Sequence, residues 1–239
     1  MTIYHFLEHA LGVPSVVQGA LLASALLLLA GIAIRSRLAA ADGGVIPDEG
    51  VTIRNVFEVI VDGLADLARQ TIGDDWRKYF PLAGTIFFFI LIANLLNLIP
   101  GIGGPTADIN TTAAWALISF GVYNYVGIRR HGFWYINQFL GPSFYTLHVG
   151  GRHIHVRALF WLFGPLETIL HLARILTLAL RLFANMFADH AVVTIFITLV
   201  PLIVPAIFMG LGVMVAVIQA FVFTVLSMIY IGQALAEPH

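Results

Sequence analysis

Four stretches of this chain, residues 9–34, 79–107, 109–128 and 191–236, contain no Asp, Glu, Lys or Arg. A helix needs roughly 20 mainly apolar residues to cross the hydrocarbon core of a bilayer, and runs of this length cannot be covered by the chain's own polar side chains. Charged residues make up only 10% of the 239 positions and hydrophobic ones 59%, whereas a soluble domain carries about 25% charged residues. With a mean hydropathy of +0.92, the sequence describes a polytopic membrane protein and excludes a water-soluble globule. The net charge of −1, from 12 basic residues scattered along the chain, carries no nucleic-acid footprint. Absence of Cys removes disulfides, thiol catalysis and thiolate metal sites.

The remaining charges lay out the chain as a single membrane domain over 1–239. Met1 to Val13 has neither a basic n-region nor an A-x-A site, so the first apolar run, residues 14–34, reads as a retained anchor rather than a removable signal. Arg35 and Arg37 close it, and the positive-inside rule places them in the cytoplasm, with the N-terminus outside. A Gly/Pro linker occupies 38–50. Over 51–77, Arg54, Glu58, Asp62, Asp66 and Arg69 recur at spacings of three and four between Val56, Ile60, Leu64 and Leu67, which predicts an amphipathic helix at the interface. Residues 79–99 form a second span that ends at Pro100-Gly101, and 112–128 a third, stopped on the inner side by Arg129, Arg130 and His131. The segment 132–157 is aromatic, Gly-rich and basic, as suits a cytoplasmic interfacial stretch.

From 158 to 198 one helical pattern continues, Pro201 and Pro205 mark a turn, and a second pattern runs over 206–235. The first would be about 50 to 60 Å long, against a hydrocarbon core of about 30 Å. The last two helices therefore form a long, strongly tilted hairpin. The expected fold class is an all-α polytopic membrane protein with about five membrane helices plus one interfacial amphipathic helix. No internal repeat of the secondary-transporter kind is visible.

The penultimate helix holds Glu167, His171, Arg174, Arg181, Asp189 and His190 within or beside apolar sequence, and such groups mark ion pathways by default. On a helical projection Glu167, Arg174 and Asn185 all lie within about 40° of Arg181. The final helix repeats the pattern with Gln219, Tyr230 and Gln233 on one face. Arg181 stays charged in any protein environment and needs acceptors. Glu167 stands about 21 Å from it along the axis and Asp189 about 12 Å, and the final helix has no carboxylate between Ala206 and Glu237. Either Arg181 snorkels to a headgroup, or its counter-ion comes from another subunit.

The other candidates keep two readings each. Asn185 and Gln219 glue two helices together or orient the guanidinium. Glu167 caps the helix start after Pro165 or relays protons on the inner side. Asp189 and His190 form a surface pair at the outer boundary or exchange protons there. Asp108 and Asn110 cap the third span or take part in proton uptake. His148, His153 and His155 make only a loose metal pattern, and neither a metal nor a cofactor is expected.

Taken together, YFPLAGTIFFFILIANL, NLLNLIPG, PTADINTT, GPLETILHLARILTLALRLFANMFADH and IQAFVFTVLSMIYI resemble subunit a of the F-type ATP synthase over most of the chain. That resemblance implies a stator subunit that is not catalytic on its own, in a bacterial inner membrane with its C-terminus cytoplasmic. Its partners would be the c-ring proteolipids, which supply the carboxylate counter-ion, and peripheral stalk subunit b, and protons would be the transported species. Arg181 matches the family's essential arginine and Asn185 and Gln219 its polar neighbours. Glu167 matches the acidic group of the cytoplasmic half-channel and His190 the ionisable position of the outer one. Three positions depart from the pattern: Asp189 where Gly is usual, Gly212 where some members place the partner of the outer-channel residue, and Asn97 where Gly is common. Asp189 would then replace that partner. The competing class is a self-contained secondary transporter or channel, which would need a midplane substrate site within this chain.

Overall fold

The computed structural model describes residues 12–40, 52–99, 104–132, 135, 145–149, 152–156, 160–200 and 203–236. The loop expected after residue 99, most of the 38–50 linker and of 132–157, and the side chain of Glu167 lie outside the described residues, as do the side chains of His148, His153 and His155.

The described chain is an all-α membrane architecture of six helices: α1 (Ser15–Ala40), α2 (Ile53–Ile72), α3 (Trp76–Asn97), α4 (Ile109–His131), α5 (Phe160–Leu199) and α6 (Ile203–Leu235). Four segments are long and apolar enough to cross a membrane: Ser15–Arg35, Arg54–Asn97, Thr168–Leu199 and Ile203–Leu235. The third span expected from the sequence, within α4, is not among them. Its Asn110, Thr111, Thr112, Ser119 and Asn124 lower its hydropathy, and several of them face neighbouring helices: Thr112 and Ser119 are buried, and Ser119 Oγ donates to Ser227 Oγ of α6 at 2.9 Å. A polar side chain with a cross-helix partner does not raise the cost of a membrane location as an unpaired one does.

Helix ends follow local chemistry. The Thr52 hydroxyl accepts from the Asn55 amide to start α2, and Gly73, at φ 79°, ends it, a conformation that favours glycine. Asp108 caps α4 through the Asn110 amide, and Arg129, Arg130 and His131 fill its last turn, where cations complement the helix dipole. Pro205, expected to mark the turn before the final helix, lies instead in the first turn of α6, where a missing amide leaves no bond unmade.

The charged face expected over 51–77 is real for Asp62, Asp66 and Arg69, which are exposed while Leu64, Ala68 and Ile72 are buried. Arg54 departs from it: the side chain is only 2% exposed and its Nε donates to Glu58 at 2.8 Å. A further departure is a two-stranded antiparallel hairpin, β1 (Tyr145–Val149) and β2 (Arg152–Val156), with Val149 opposite Arg152. Alternating apolar and polar residues around Gly150-Gly151 are a strand-turn-strand signal that the aromatic, basic composition of the segment obscured.

Helix α6 is the hub, packed against α2, α3, α4 and α5. The core joins Leu64 and Ala68 of α2, Ile86 and Ile90 of α3, Leu182 and Met186 of α5, and Ala220, Phe223 and Met228 of α6. Arg130 lies 4.0 Å from Asp75, so the last turn of α4 and the start of α3 share one end of the molecule. Helix α5, at 40 residues, is about 60 Å long, twice the hydrocarbon thickness.

One crossing depends on a missing side chain. A Cβ at Gly232 of α6 would run into the carbonyl oxygen of Thr71 in α2, whereas one at Gly121 would meet open space. Gly232→Val is therefore expected to destabilise the fold by about 1–3 kcal/mol through backbone displacement, and Gly121→Ala to leave it unchanged. Thermal aggregation of the detergent-extracted protein, followed by size-exclusion chromatography, checks both.

Candidate functional site

The residues singled out along the last two helices fall into three groups at successive heights along the hairpin. In the middle group Arg181 projects from the exposed side of α5, and among the described residues it has no ion-pair partner. Its neighbours on that surface are Leu176, Thr177, Leu180, Ala184 and Ala188, all exposed and all uncharged. Behind them Leu178, Leu182 and Met186 are buried against the core, so the arginine stands on a firmly backed apolar face. Asn185, one turn away, donates from Nδ2 to Oε1 of Gln219 at 2.8 Å. Gln219 is buried, and its Nε2 has no hydrogen-bond partner among the described residues.

The second group gathers where α3 ends. The Asn97 carboxamide donates to the main-chain oxygen of Met186 at 3.0 Å, and the Asn97 main-chain oxygen lies 3.4 Å from Nδ1 of His190. Asn94, one turn earlier, donates to the carbonyl of Ala216 in α6 at 3.3 Å. Asp189 Oδ2, Asn97 Oδ1 and Thr106 Oγ1 are buried without hydrogen-bond partners among the described residues. Gly104 packs directly on the Asn97 backbone, leaving no room for a Cβ, and this holds the Pro105–Ala107 turn against the end of α3. Gly212 is buried, with Leu98 occupying the space where its side chain would be. Asp108 and Asn110 are joined by the capping bond of α4.

The third group lies toward the end marked by Arg130 and Asp75. Arg174 Nη1 donates to Gln233 Oε1 at 3.0 Å, and its guanidinium sits 5.2 Å from the Tyr230 ring, within cation–π range. Tyr123 of α4 stacks near both Tyr230 and the buried His171. Tyr135 donates to Asn124 Oδ1 at 3.0 Å. Burial pushes the Tyr135 phenol up from its ordinary range, partly opposed by the Arg174 charge, so it remains a donor at neutral pH. Glu167 belongs to α5 one turn before His171.

The structure thus brings together Asn185 with Gln219, and Arg174 with Tyr230 and Gln233. It seats Asp189 and His190 beside the end of α3, about 28 Å by helix rise from His171. Sequence reasoning did not assign roles to Asn94, Asn97, Thr106 and Tyr123. Polar residues inside an apolar run were the available signal for the two asparagines, whereas the partners of Thr106 and Tyr123 depend on tertiary packing. Among the described residues no cluster of metal-ligating side chains occurs.

Comparison with known proteins agrees with this arrangement. A family model described as ATP synthase A chain matches residues 19–232. ATP synthase subunit a 1 of Syntrophotalea carbinolica is 45% identical over 216 residues, covering 90% of this chain and 83% of that protein. ATP synthase subunit a of Geobacter sulfurreducens is 42% identical over 191 residues, covering 78% and 76%. ATP synthase subunit a of Nitratidesulfovibrio vulgaris strain DP4 is 41% identical over 219 residues, covering 91% and 84%. With helices suited to the bilayer and a match spanning nearly its whole length, this chain belongs to the ATP synthase A chain family, as an integral membrane component of the ATP synthase complex.

Proposed function

We propose that this chain is the proton-conducting stator of its complex, with Arg181 separating two aqueous half-channels that open on opposite sides of the membrane. The observation that carries this reading is the exposed arginine without an anion on an otherwise uncharged helix face. A guanidinium in an apolar setting is costly unless paired. A carboxylate on each proteolipid of a rotating c-ring would supply that pair in turn, at the face where α5 has no covering helix among the described residues. Because the arginine keeps its own charge, it attracts an ionised ring carboxylate, favours proton release from an arriving one, and repels protons that would otherwise leak from one half-channel to the other.

The outer half-channel is assigned to Asp189 and His190. Buried polar atoms without protein partners beside them are the kind that ordered water satisfies, which supports a hydrated path there. The inner half-channel is assigned to Glu167, with Arg174, Tyr230 and Gln233 alongside. A proton from outside neutralises a ring carboxylate that has left Arg181, rides the ring through nearly a full turn, and departs past Glu167. Each charge crossing 100 mV releases about 2.3 kcal/mol, so several crossings are accumulated for each ATP made elsewhere in the complex. In this arrangement the chain performs no bond chemistry itself. The N-terminus lies outside, the C-terminus and the basic ends of α1 and α4 lie in the cytoplasm of a bacterial inner membrane, α2 rests at the interface, and peripheral stalk subunit b anchors the chain.

Arg181→Ala is expected to abolish ATP-driven proton pumping in inverted membrane vesicles and to raise passive proton leak through the assembled complex. Normal coupled pumping in that variant would refute the assignment. The bond between Asn185 and Gln219 gives a second test. Asn185→Leu and Gln219→Leu should each lower the pumping rate about tenfold, equivalent to about 1.4 kcal/mol. The double variant should lose little more than either single one, because both remove the same interaction.

A further inference from the structure

We infer that Asn97 is a positioning residue for proton uptake: it fixes the end of α3 so that its main-chain carbonyl holds Nδ1 of His190, leaving Nε2 as the atom that exchanges protons. The inference rests on the proposed outer half-channel and adds to it a specific ring nitrogen and the group that selects it.

The argument begins with the last turn of α3. The carbonyls of Leu95 and Leu96 accept from the amides of Leu98 and Ile99, and the next carbonyl, that of Asn97, meets the imidazole at 3.4 Å. A carbonyl only accepts, so this contact selects the form of His190 protonated at Nδ1. The 3.4 Å separation is long for a hydrogen bond, and groups that work in proton transfer often tighten only in the working complex. The carbonyl also stands at the negative end of a 22-residue helix, a position that favours imidazolium over imidazole. Proton balance is then simple. A proton from water adds to the Nε2 lone pair of neutral His190, the cation keeps its Nδ1 proton on Asn97, and the same Nε2 proton passes on to the Asp189 carboxylate or to water.

What holds the carbonyl in place is the Asn97 side chain. It is buried at 2% exposure and is latched to the carbonyl of Met186, one turn before His190 on the same helix. One residue therefore grips α5 twice, by its side chain at 186 and by its main chain at 190. The charged environment of the ring is sparse. Asp189 is its chain neighbour, α3 presents Asn94 and Asn97, the adjoining turn presents Thr106 with Asp108 following it, and α6 has no Asp, Glu, Lys, Arg or His and only Tyr230, far along the helix. No fixed charge from a facing helix competes with the carbonyl in setting the protonation of His190.

The test uses the whole ATP synthase in inverted vesicles, whose lumen corresponds to the outer side. ATP synthesis is driven by an imposed gradient of constant size while lumenal pH is stepped, and the lumenal pH of half-maximal synthesis is read. Loss of the carbonyl contact removes a stabiliser of the cation, so His190 requires a more acidic medium to take up its proton. Asn97→Ala should move the midpoint to lower pH by about half a unit. Asn94→Ala, which cuts a different tie from the same helix, may lower the rate but should leave the midpoint in place. An unchanged midpoint in assembled Asn97→Ala complexes, or an equal shift in Asn94→Ala, overturns the inference. If Asn97→Ala does not assemble, Asn97→Ser is read in its place, and failure of both to assemble assigns Asn97 to folding alone and overturns it too. These outcomes are independent of Arg181→Ala, whose retention of coupling would overturn the stator reading itself.

Discussion

A positive charge that cannot be discharged, set in surroundings that cannot solvate it, is the constraint around which this molecule is arranged. Arginine keeps its proton, and hydrocarbon offers it no acceptors. The helix that carries Arg181 has only Asn185 within one turn as a polar neighbour, and that amide is already committed to Gln219. The fold leaves the charge on an open face and firms up the helix beneath it with Leu178, Leu182 and Met186. A site of this kind is complete only with a partner, which is why its chemistry is visible as an absence of anions.

Holding such a helix in register takes polar ties as well as packing. Dispersion and apolar contact set which helices touch, but in an apolar medium they discriminate weakly between neighbouring registers. Here the ties are specific: Asn94 to Ala216, Asn97 to Met186, Ser119 to Ser227 and Arg174 to Gln233. Each joins helices far apart in sequence, and three of the four reach α6. Bonds of this type are worth about 0.6 to 2 kcal/mol apiece in membranes, enough in sum to fix one alignment of the hairpin.

Much of this was legible in the sequence because charge is scarce in it. Charge-free runs located the helices, the unbroken pattern after residue 158 gave the length of α5, and the spacing of Arg181, Asn185 and Gln219 put polar groups on matching faces. The missing parts share a physical cause. Whether Asn97 touches Met186 or Leu98 fills the space over Gly212 depends on how α3 crosses the hairpin, and no local period encodes a crossing. The burial of Arg54 on an otherwise amphipathic helix is of the same kind. The β1–β2 hairpin was a different failure, since its alternation and its Gly-Gly pair were local signals masked by the composition around them. Asp108 could be read as a cap or as part of a proton path from sequence, and its bond to the Asn110 amide shows the capping role directly.

The relief of the surface around Arg181 has a mechanical consequence. Along the turns through that residue the exposed positions are Thr177, Ala184 and Ala188, all short, with the bulkier Leu176, Leu180 and Phe187 set to the sides. A helix sliding past such a track in the proposed motor would meet shallow steps on a stiff bed. Steric friction would be nearly uniform along the path, and the one pronounced feature a passing subunit feels would be the field of a single cation. The stator would then act as a smooth bearing with one electrostatic detent, so that the direction of motion is decided by protonation and not by shape.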